Sequence, residues 1–235
     1  MNHRSSNSST LAEPAPARPS KSELVYATLR GEIVDLARAP GEFIDKAEVC
    51  AKLAVSRFPV AEALGRLARD KLVDVEPQRG SYVAPIRLPD IEEALFLRAA
   101  VESMALRYLP TAELPSLGAT LRAILDEQAE AAAANDIPAL NATDVAFHAA
   151  IVARAGIERA SDLVASFRVH TDRLLRFRST PPPWSVLLGE HEAICAAIER
   201  GDGDGASAAL SAHIEGLRRR VLAVFTPEGA LPEPC

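Results

Sequence analysis

Four side chains in the C-terminal half have the types and the spacing of a metal site: Asp144, His148, His191 and His213. Asp144 and His148 are four residues apart, so on a helix they share one face. His191 and His213 lie on either side of the glycine-rich turn 201–205, and an antiparallel helical hairpin would make them face each other. One carboxylate and three imidazoles suit Zn, Ni, Mn or Fe and leave coordination positions open. The spacing alone leaves a divalent metal site and a structural role for these residues equally open.

Two other residues of this half are weaker candidates for the same site. His170 falls outside the spacing pattern, and a histidine in the core or on a helix surface is the favoured interpretation. Cys195 follows His191 by four residues and therefore shares its helix face. It is either a fifth ligand or, as is favoured for a small apolar side chain, part of the packing.

The segment 53–67 has the layout of a DNA-reading unit. Its periodicity predicts two short amphipathic helices that meet at a tight turn, with Arg57 at the start of the second. Two strands joined by Arg79-Gly80 follow directly. This order is that of a winged helix-turn-helix, in which the second helix enters the major groove and the hairpin flanks it.

The polar and basic side chains of this unit are its candidate DNA contacts. Arg57 is placed to bind a guanine edge bidentately, and Ser56 with the first amides of the helix can hold a phosphate. Arg66 and Arg69 suit the DNA backbone, and Arg79-Gly80 at the wing tip suits the minor groove or a phosphate. Single arginines are usually solvated surface residues, but the ordered helix-turn-helix and hairpin favour DNA binding.

Hydrophobic periodicity and helix-breaking residues predict the elements that position both groups. In the N-terminal part we expect helices over 24–36, 46–53 and 57–67 and strands over 72–75 and 81–84. Asp45 is expected to cap the second helix, with Glu48 as its capping-box partner. After a linker at 85–89 we expect helices over 90–109, 116–134, 138–154, 158–178, 185–199 and 206–225, with a proline-rich break at 179–183.

The predicted fold class is therefore mainly α, with two domains. A winged helix-turn-helix is expected at 20–86 and an all-α helical bundle at 88–226, between a disordered arm at 1–19 and a frayed tail at 227–235.

Composition restricts the class of protein. The chain has 235 residues, of which 48% are hydrophobic, 25% charged and 5% aromatic, which is typical of a globular protein and favours helices over a β-sandwich. No apolar run reaches the ~18–20 residues of a membrane helix, and the N-terminal stretch lacks the apolar core of a signal peptide. The three cysteines form no recognisable pattern, which fits a reducing cytosol. We expect a cytoplasmic, nucleoid-associated protein without membrane contact.

The formal net charge of −6 argues weakly against a protein that coats nucleic acid. The acidic excess, however, lies away from the predicted DNA-reading unit. Residues 19–86 contain ten Lys or Arg and ten Asp or Glu, whereas residues 87–235 contain 14 and 21. A neutral unit can bind DNA when its basic groups share one face.

Taken together, four motifs resemble the GntR superfamily of bacterial transcription regulators: Pro40-Gly41-Glu42, the segment 53–67, Leu72-Val73 and the segment 79–83. The helical C-terminal half is similar to the FadR-type branch, with its FCD effector domain, and the resemblance covers about residues 20–226. Three positions depart from the pattern: Ala54, Phe58 and Ala61 stand where the family usually carries Gly, Thr and Arg. The arginine missing at position 61 is a usual DNA contact, and Phe58 could instead touch a thymine methyl, so the DNA readout stays open.

The resemblance also bears on the metal ligands. The segment 144–148, Glu190-His191 and Ala212-His213 match the metal-binding motifs of the FadR-type effector domain. Arg98 matches an arginine of that domain that can face the cavity. It is either a clamp for a carboxylate beside the metal or a partner for Glu102, one helical turn away.

The resemblance and the motifs together predict a homodimeric transcription regulator that binds a pseudo-palindromic double-stranded DNA operator. A small carboxylate effector, bound near the divalent metal, would change operator affinity. The first alternative is a metal-dependent enzyme acting on small acids. Such an enzyme needs a general base near the metal, but Glu190 and Glu192 flank His191 and are expected to point away. The sequence also contains no phosphate loop, nucleophile elbow or His-Glu-x-x-His motif. The second is a ligand-binding module with degenerate DNA recognition, suggested by Ala61.

Overall fold

The structure, a computed structural model, describes residues 19–177, 184–225 and 231. Nearly all of the expected arm and tail, and the break expected at 179–183, lie outside the described residues. Among the described helices, none combines the length and the apolar character that a membrane-crossing helix requires.

The N-terminal part consists of α1 (Lys21–Val34), α2 (Lys46–Leu53), α3 (Arg57–Arg69), β1 (Val73–Glu76) and β2 (Gly80–Val83). Both strands are displaced by one residue from the predicted ranges. A capping box between Ser20 and Glu23 starts α1. Asp45 caps α2 as expected, by accepting a hydrogen bond from the Ala47 amide. The capping box expected with Glu48 is wrong, because that carboxylate accepts a hydrogen bond from Arg38 instead.

The turn between α2 and α3 creates the helix-turn-helix. Ala54 adopts the left-handed conformation there, with φ of 51°, a region that glycine occupies more easily. One face of α3 is buried against α1 and forms the core of this part, together with neighbouring apolar residues: Val25, Leu29, Ile33, Val60, Ala63, Leu64, Leu67 and Leu72. The opposite face of α3 is left for solvent or a ligand.

The wing is an antiparallel hairpin in which Val73 pairs with Val83 and Glu76 pairs with Gly80. Phe43 adds a bridge to Tyr82 on the other edge of β2. Gly80 has φ of +123°, and a Cβ placed on it would lie 2.5 Å from the Phe43 ring. A glycine at the wing tip is therefore required by both conformation and space.

The C-terminal part is a helical bundle of α4 (Leu88–Tyr108), α5 (Leu114–Ala133), α6 (Ile137–Arg154), α7 (Glu158–Phe177), α8 (Trp184–Glu199) and α9 (Gly203–Leu222), with a 3₁₀ turn at Thr111–Glu113. The predicted helices are all present, with ends that differ by a few residues. Helix α4 packs on α7 and α9, α5 packs on α6 and α8, and α8 packs on α9. Leucine, isoleucine and phenylalanine side chains from α4, α5, α6, α8 and α9 form one continuous core.

Helix α7 joins the bundle to the N-terminal part. Its Val169 belongs to the same hydrophobic cluster as the core of α1 and α3. The Ala165 carbonyl accepts a hydrogen bond of 2.7 Å from Arg30 of α1. Arg173, which is 2% exposed, donates a hydrogen bond of 2.6 Å to the Ala84 carbonyl at the end of the wing. The two parts are therefore in direct contact through one face of α7.

Candidate metal centre and nucleic-acid interface

The four predicted metal ligands meet inside the bundle. Asp144 and His148 come from α6, His191 from α8 and His213 from α9, and one ligand atom from each lies within 4.8 Å of the others. The three histidines are at most 3% exposed. Asp144 Oδ1 lies 3.5 Å from His191 Nε2 and 3.8 Å from His148 Nε2. The hairpin geometry expected from the glycine turn does bring His191 and His213 together.

Each imidazole is oriented by a hydrogen bond from its Nδ1 atom. His148 Nδ1 lies 2.5 Å from Glu102, His191 Nδ1 lies 2.7 Å from the Gln128 carbonyl oxygen, and His213 Nδ1 lies 2.7 Å from Glu190. Because carboxylate and amide oxygens accept, Nδ1 donates in all three pairs and the Nε2 lone pair faces the centre. The Nε2 atoms of His148 and His191 are buried and have no hydrogen-bond partner among the described residues.

The electrostatics keep these groups in the ionisation states that a cation requires. Burial lowers the pKa of His191 to about 3 and also lowers the pKa of His148, so both rings are neutral at physiological pH. Burial by itself would raise the pKa of Glu102, but the Arg98 guanidinium and the hydrogen bond donated by His148 outweigh it and hold that pKa at about 2. Asp144 behaves in the same way: the Arg168 guanidinium, which donates a hydrogen bond to it, overcomes burial and keeps its pKa well below the usual range. Neutral imidazoles and an ionised carboxylate are the ligand forms that bind metals.

This donor set fits a divalent transition metal. Buried Nε2 atoms that converge without hydrogen-bond partners carry a free-energy cost unless a metal binds them. Histidine ligands are usually supported by a hydrogen bond on the opposite ring nitrogen, as these are. Three nitrogen donors and one oxygen donor match zinc and its neighbours in the first transition row.

Of the two alternatives for Arg98, the pairing with Glu102 is confirmed, and the carboxylate clamp stays a prediction. The side chain is 1% exposed, and its Nε donates a hydrogen bond of 2.8 Å to Glu102. Its Nη2 is buried without a partner among the described residues. Arg98 is therefore a partner of Glu102 with one donor still available.

Sequence reasoning missed the contacts that orient the ligands. Glu102 was expected only as a possible partner of Arg98, and its hydrogen bond with His148 was not foreseen. No sequence signal pointed to Gln128. Arg168 was also missed, although it donates a hydrogen bond of 2.6 Å to Asp144. Glu190 lies behind His213, where it accepts from the Nδ1 atom and pairs with Arg220, so it supports a ligand and does not face the centre.

The weaker candidates lie elsewhere. His170 is outside the ligand cluster and lines a small cavity between the two parts, beside Asp70, Lys71 and Glu93. Cys195 is fully buried in the bundle core, where burial raises the pKa of its thiol to about 11. A neutral thiol in that setting is packing, as favoured.

The predicted DNA contacts divide into free and engaged side chains. Ser56 holds the N-cap position of α3 but makes no side-chain cap hydrogen bond, and Arg57 is exposed beside it. Phe58 is 78% exposed. In contrast, the Arg66 guanidinium lies 3.8 Å from the centre of the Tyr26 ring, and Arg79 at the wing tip pairs with Glu76 at 2.7 Å.

Comparison with known protein families agrees with this two-part arrangement. Residues 21–83 match the family described as bacterial regulatory proteins, gntR family, and residues 93–216 match the FCD domain. The chain belongs to the GntR family. It is a transcription regulator of the GntR type with an FCD domain, and its relatives are regulators, not enzymes.

Individual GntR regulators align along most of the chain. The HTH-type transcriptional repressor RspR of Escherichia coli K12 is 30% identical over 208 residues, which cover 88% of this chain and 90% of RspR. A GntR transcriptional regulator of Rhodococcus sp. RHA1 has a solved structure that matches with a TM-score of 0.71 at 26% identity, covering 88% of this chain and 100% of that one. E. coli McbR/YncC shares the fold, with a TM-score of 0.70 at 21% identity over 87% of this chain and 100% of its own.

Proposed function

We propose that this GntR regulator acts as a homodimer whose affinity for a two-fold operator is controlled by a small carboxylate bound at a divalent metal. The proposal divides the chain into a DNA-binding domain at 20–86 and an effector domain at 88–226. The observation that carries it is the convergence of three Nδ1-anchored histidines on Asp144. Such a preorganised donor set has a clear use in a metal site and none in simple packing.

For DNA recognition, we assign base reading to the start of α3. Arg57 would bind a guanine edge in the major groove, Ser56 would hydrogen-bond to a phosphate, and Phe58 would contact a thymine methyl. Arg66 and the wing residues Arg79 and Gly80 would contact the backbone, once DNA displaces the Glu76 partner of Arg79. Ala61 is exposed on the same helix and offers no hydrogen bond, so the operator should differ from that of family members with arginine there.

A face of α4 supports the homodimer. Phe96, Met104 and Tyr108 are 73%, 58% and 68% exposed, and with Ala100 they follow one another at four-residue intervals. At this spacing they form one apolar stripe along the helix. A second copy is the occupant that a two-fold operator requires, because one DNA-binding domain reads one half-site.

In the effector domain, Asp144, His148, His191 and His213 would hold the metal, with Glu102, Gln128, Glu190 and Arg168 fixing their orientation. A divalent metal bound there would supply an open coordination position for an anionic oxygen. The free Nη2 donor of Arg98 would give the same carboxylate a charge-assisted hydrogen bond. A small carboxylate is therefore the effector class that these groups recognise.

The contacts of α4 and α7 offer routes from this site to the DNA-binding domain. Helix α4 carries Arg98 and begins at Leu88, directly after the linker from the wing. Helix α7 contacts both Asp144, through Arg168, and the DNA-binding domain, through Arg30 and Ala84. A ligand that repositions either helix would change how the two DNA-binding domains of a dimer are spaced.

Reciprocal binding tests the regulation. An operator is first selected in vitro from random DNA, and the carboxylate that binds the metal-loaded protein most tightly is chosen from a panel of small acids. Calorimetry then measures that carboxylate with and without operator, and operator binding is measured with and without the carboxylate. We expect the same factor in both directions, about 5–150-fold.

Equal carboxylate affinities with and without operator would overturn the regulatory proposal. Failure to select any preferred DNA sequence would instead favour a module with degenerate recognition, as Ala61 suggests.

A further inference from the structure

Arg168, on α7, is buried beside the proposed metal centre with more donors than partners. The residue is 6% exposed. Its Nη2 donates to Asp144 at 2.6 Å and lies 3.6 Å from Asp172. Its Nε and Nη1 are both buried and lack hydrogen-bond partners within the described part of the chain.

Buried guanidinium donors without partners are rare, because a charged donor removed from water loses its hydration. Arg98 shows the same feature at its Nη2. The two arginines lie on different helices, α4 and α7. Both arginines keep N–H groups that could donate hydrogen bonds to an anionic ligand.

The charges around the centre also favour an anionic ligand. Arg98 and Arg168 are offset by Glu102 and Asp144, and Arg220 is offset by Glu190. Asp172 is the remaining acidic neighbour, and burial raises its pKa. A divalent ion would leave an excess of one positive charge with Asp172 ionised and two with Asp172 protonated. Excess charge in a buried site requires an anion.

We infer that Arg168 is a second anion-binding residue of this site, and that the effector carries two anionic groups. One group would bind at the metal and Arg98, and the other would accept hydrogen bonds from Arg168. This inference rests on the proposed function and adds to it the valence of the ligand and the residue that selects it.

The test compares the binding of a monocarboxylate and of dicarboxylates to the full chain loaded with Zn²⁺. Acetate is the single carboxylate, and malonate, succinate and glutarate are dicarboxylates of increasing length. Affinities are measured by calorimetry for the wild type, for Arg168→Gln and for the control Arg176→Gln. Arg176 lies on the same helix but forms an exposed ion pair with Asp35, so its substitution changes the charge of α7 without touching the centre.

We expect the wild type and the control to bind the best dicarboxylate at least about tenfold more tightly than acetate, which is the gain of one charge-assisted contact. In Arg168→Gln, at a Zn²⁺ concentration that saturates the variant, that preference should fall below about twofold because dicarboxylate affinity falls more than acetate affinity. An equal loss of acetate and dicarboxylate affinity, or an unchanged preference, would overturn the inference.

Because Arg168 also holds Asp144, its substitution could weaken Zn²⁺ binding itself. Zn²⁺ affinity is therefore measured first, and Arg168→Lys provides a variant that keeps the charge. We expect Arg168→Lys to retain part of the dicarboxylate preference. Complete loss of the preference in this variant would count against an anionic contact at this position.

The result also separates the two proposals. Wild-type protein that binds Zn²⁺ and acetate but gains nothing from a second carboxylate would refute the role of Arg168 and leave the proposed function standing. Wild-type protein that binds no Zn²⁺ would refute both.

Discussion

At the start of α3, Arg57 is exposed and has no side-chain partner among the described residues, whereas Arg98, Arg168 and Arg173 in the helical bundle are at most 6% exposed and each hydrogen-bonds to a protein oxygen. Arg57 is thus accessible to a ligand, whereas the three buried arginines are held by contacts within the protein. An exposed arginine keeps its hydration until a phosphate or base displaces the water, but a buried one depends on its partners for stability. Substitutions in the two domains should therefore separate binding from folding.

The largest effect is expected from Glu102→Gln in the bundle. Glu102 neutralises Arg98 and accepts from His148, and it is 0% exposed. Its removal leaves a buried charge unpaired, so the free energy of unfolding should fall by about 3–5 kcal/mol. Urea unfolding of the metal-free protein measures this.

The matched control is Glu199→Gln, which removes one partner from an exposed ion pair with Arg122 and should change stability by less than about 1 kcal/mol. Equal effects of the two substitutions would show that the buried network does not hold the bundle together.

Metal binding should give the next largest effect. Protein purified without a chelator or a histidine tag is expected to contain near-stoichiometric divalent metal, and His148→Ala or His213→Ala should lose it. Metal at one hundred times its dissociation constant should stabilise the fold by about 2.7 kcal/mol. Elemental analysis and thermal melting with and without chelator check both points. Wild-type protein that contains no metal, cannot be reloaded and melts unchanged would contradict the assignment.

On the DNA-binding side, Arg57→Ala should weaken specific operator binding by about 1–3 kcal/mol, the value of one bidentate base contact. Because its side chain is exposed, the stability of the fold should change by no more than about 0.5 kcal/mol. Binding isotherms at fixed salt and urea unfolding together test this separation. If the variant binds operator as tightly as the wild type, Arg57 does not contact the DNA. If it loses much stability, Arg57 contributes to folding, and the contrast with the buried arginines of the bundle is wrong.

The smallest effect concerns the thiols of the two domains. Cys50 in α2 is half-buried, whereas Cys195 in the bundle core is fully buried and burial raises its pKa to about 11. At pH 8 in native conditions, iodoacetamide should modify Cys50 and leave Cys195 intact, because the thiolate is the reacting form. Peptide mapping by mass spectrometry distinguishes the sites. Rapid labelling of Cys195 would show that the bundle core opens easily, and unfolded protein labelled at both sites is the control.

Local patterns determined much of the fold in advance. Apolar spacing and caps placed the helices within a few residues, because a helix is built from contacts three and four positions apart. The same rule put Asp144 and His148 on one face, and a glycine turn between two helices brought His191 and His213 into register. Family motifs added the winged helix-turn-helix with Arg57 at its entrance.

Tertiary structure alone decided which side chains are engaged. Gln128, Arg168 and Glu190 reach the histidines and Asp144 from other helices or from another turn, and no periodicity within one helix encodes such a contact. Likewise, only packing showed that Arg66 lies on the Tyr26 ring while Arg57 remains free. Sequence spacing can specify the direction of a side chain on its own element, but the partner that it meets depends on how separate elements pack.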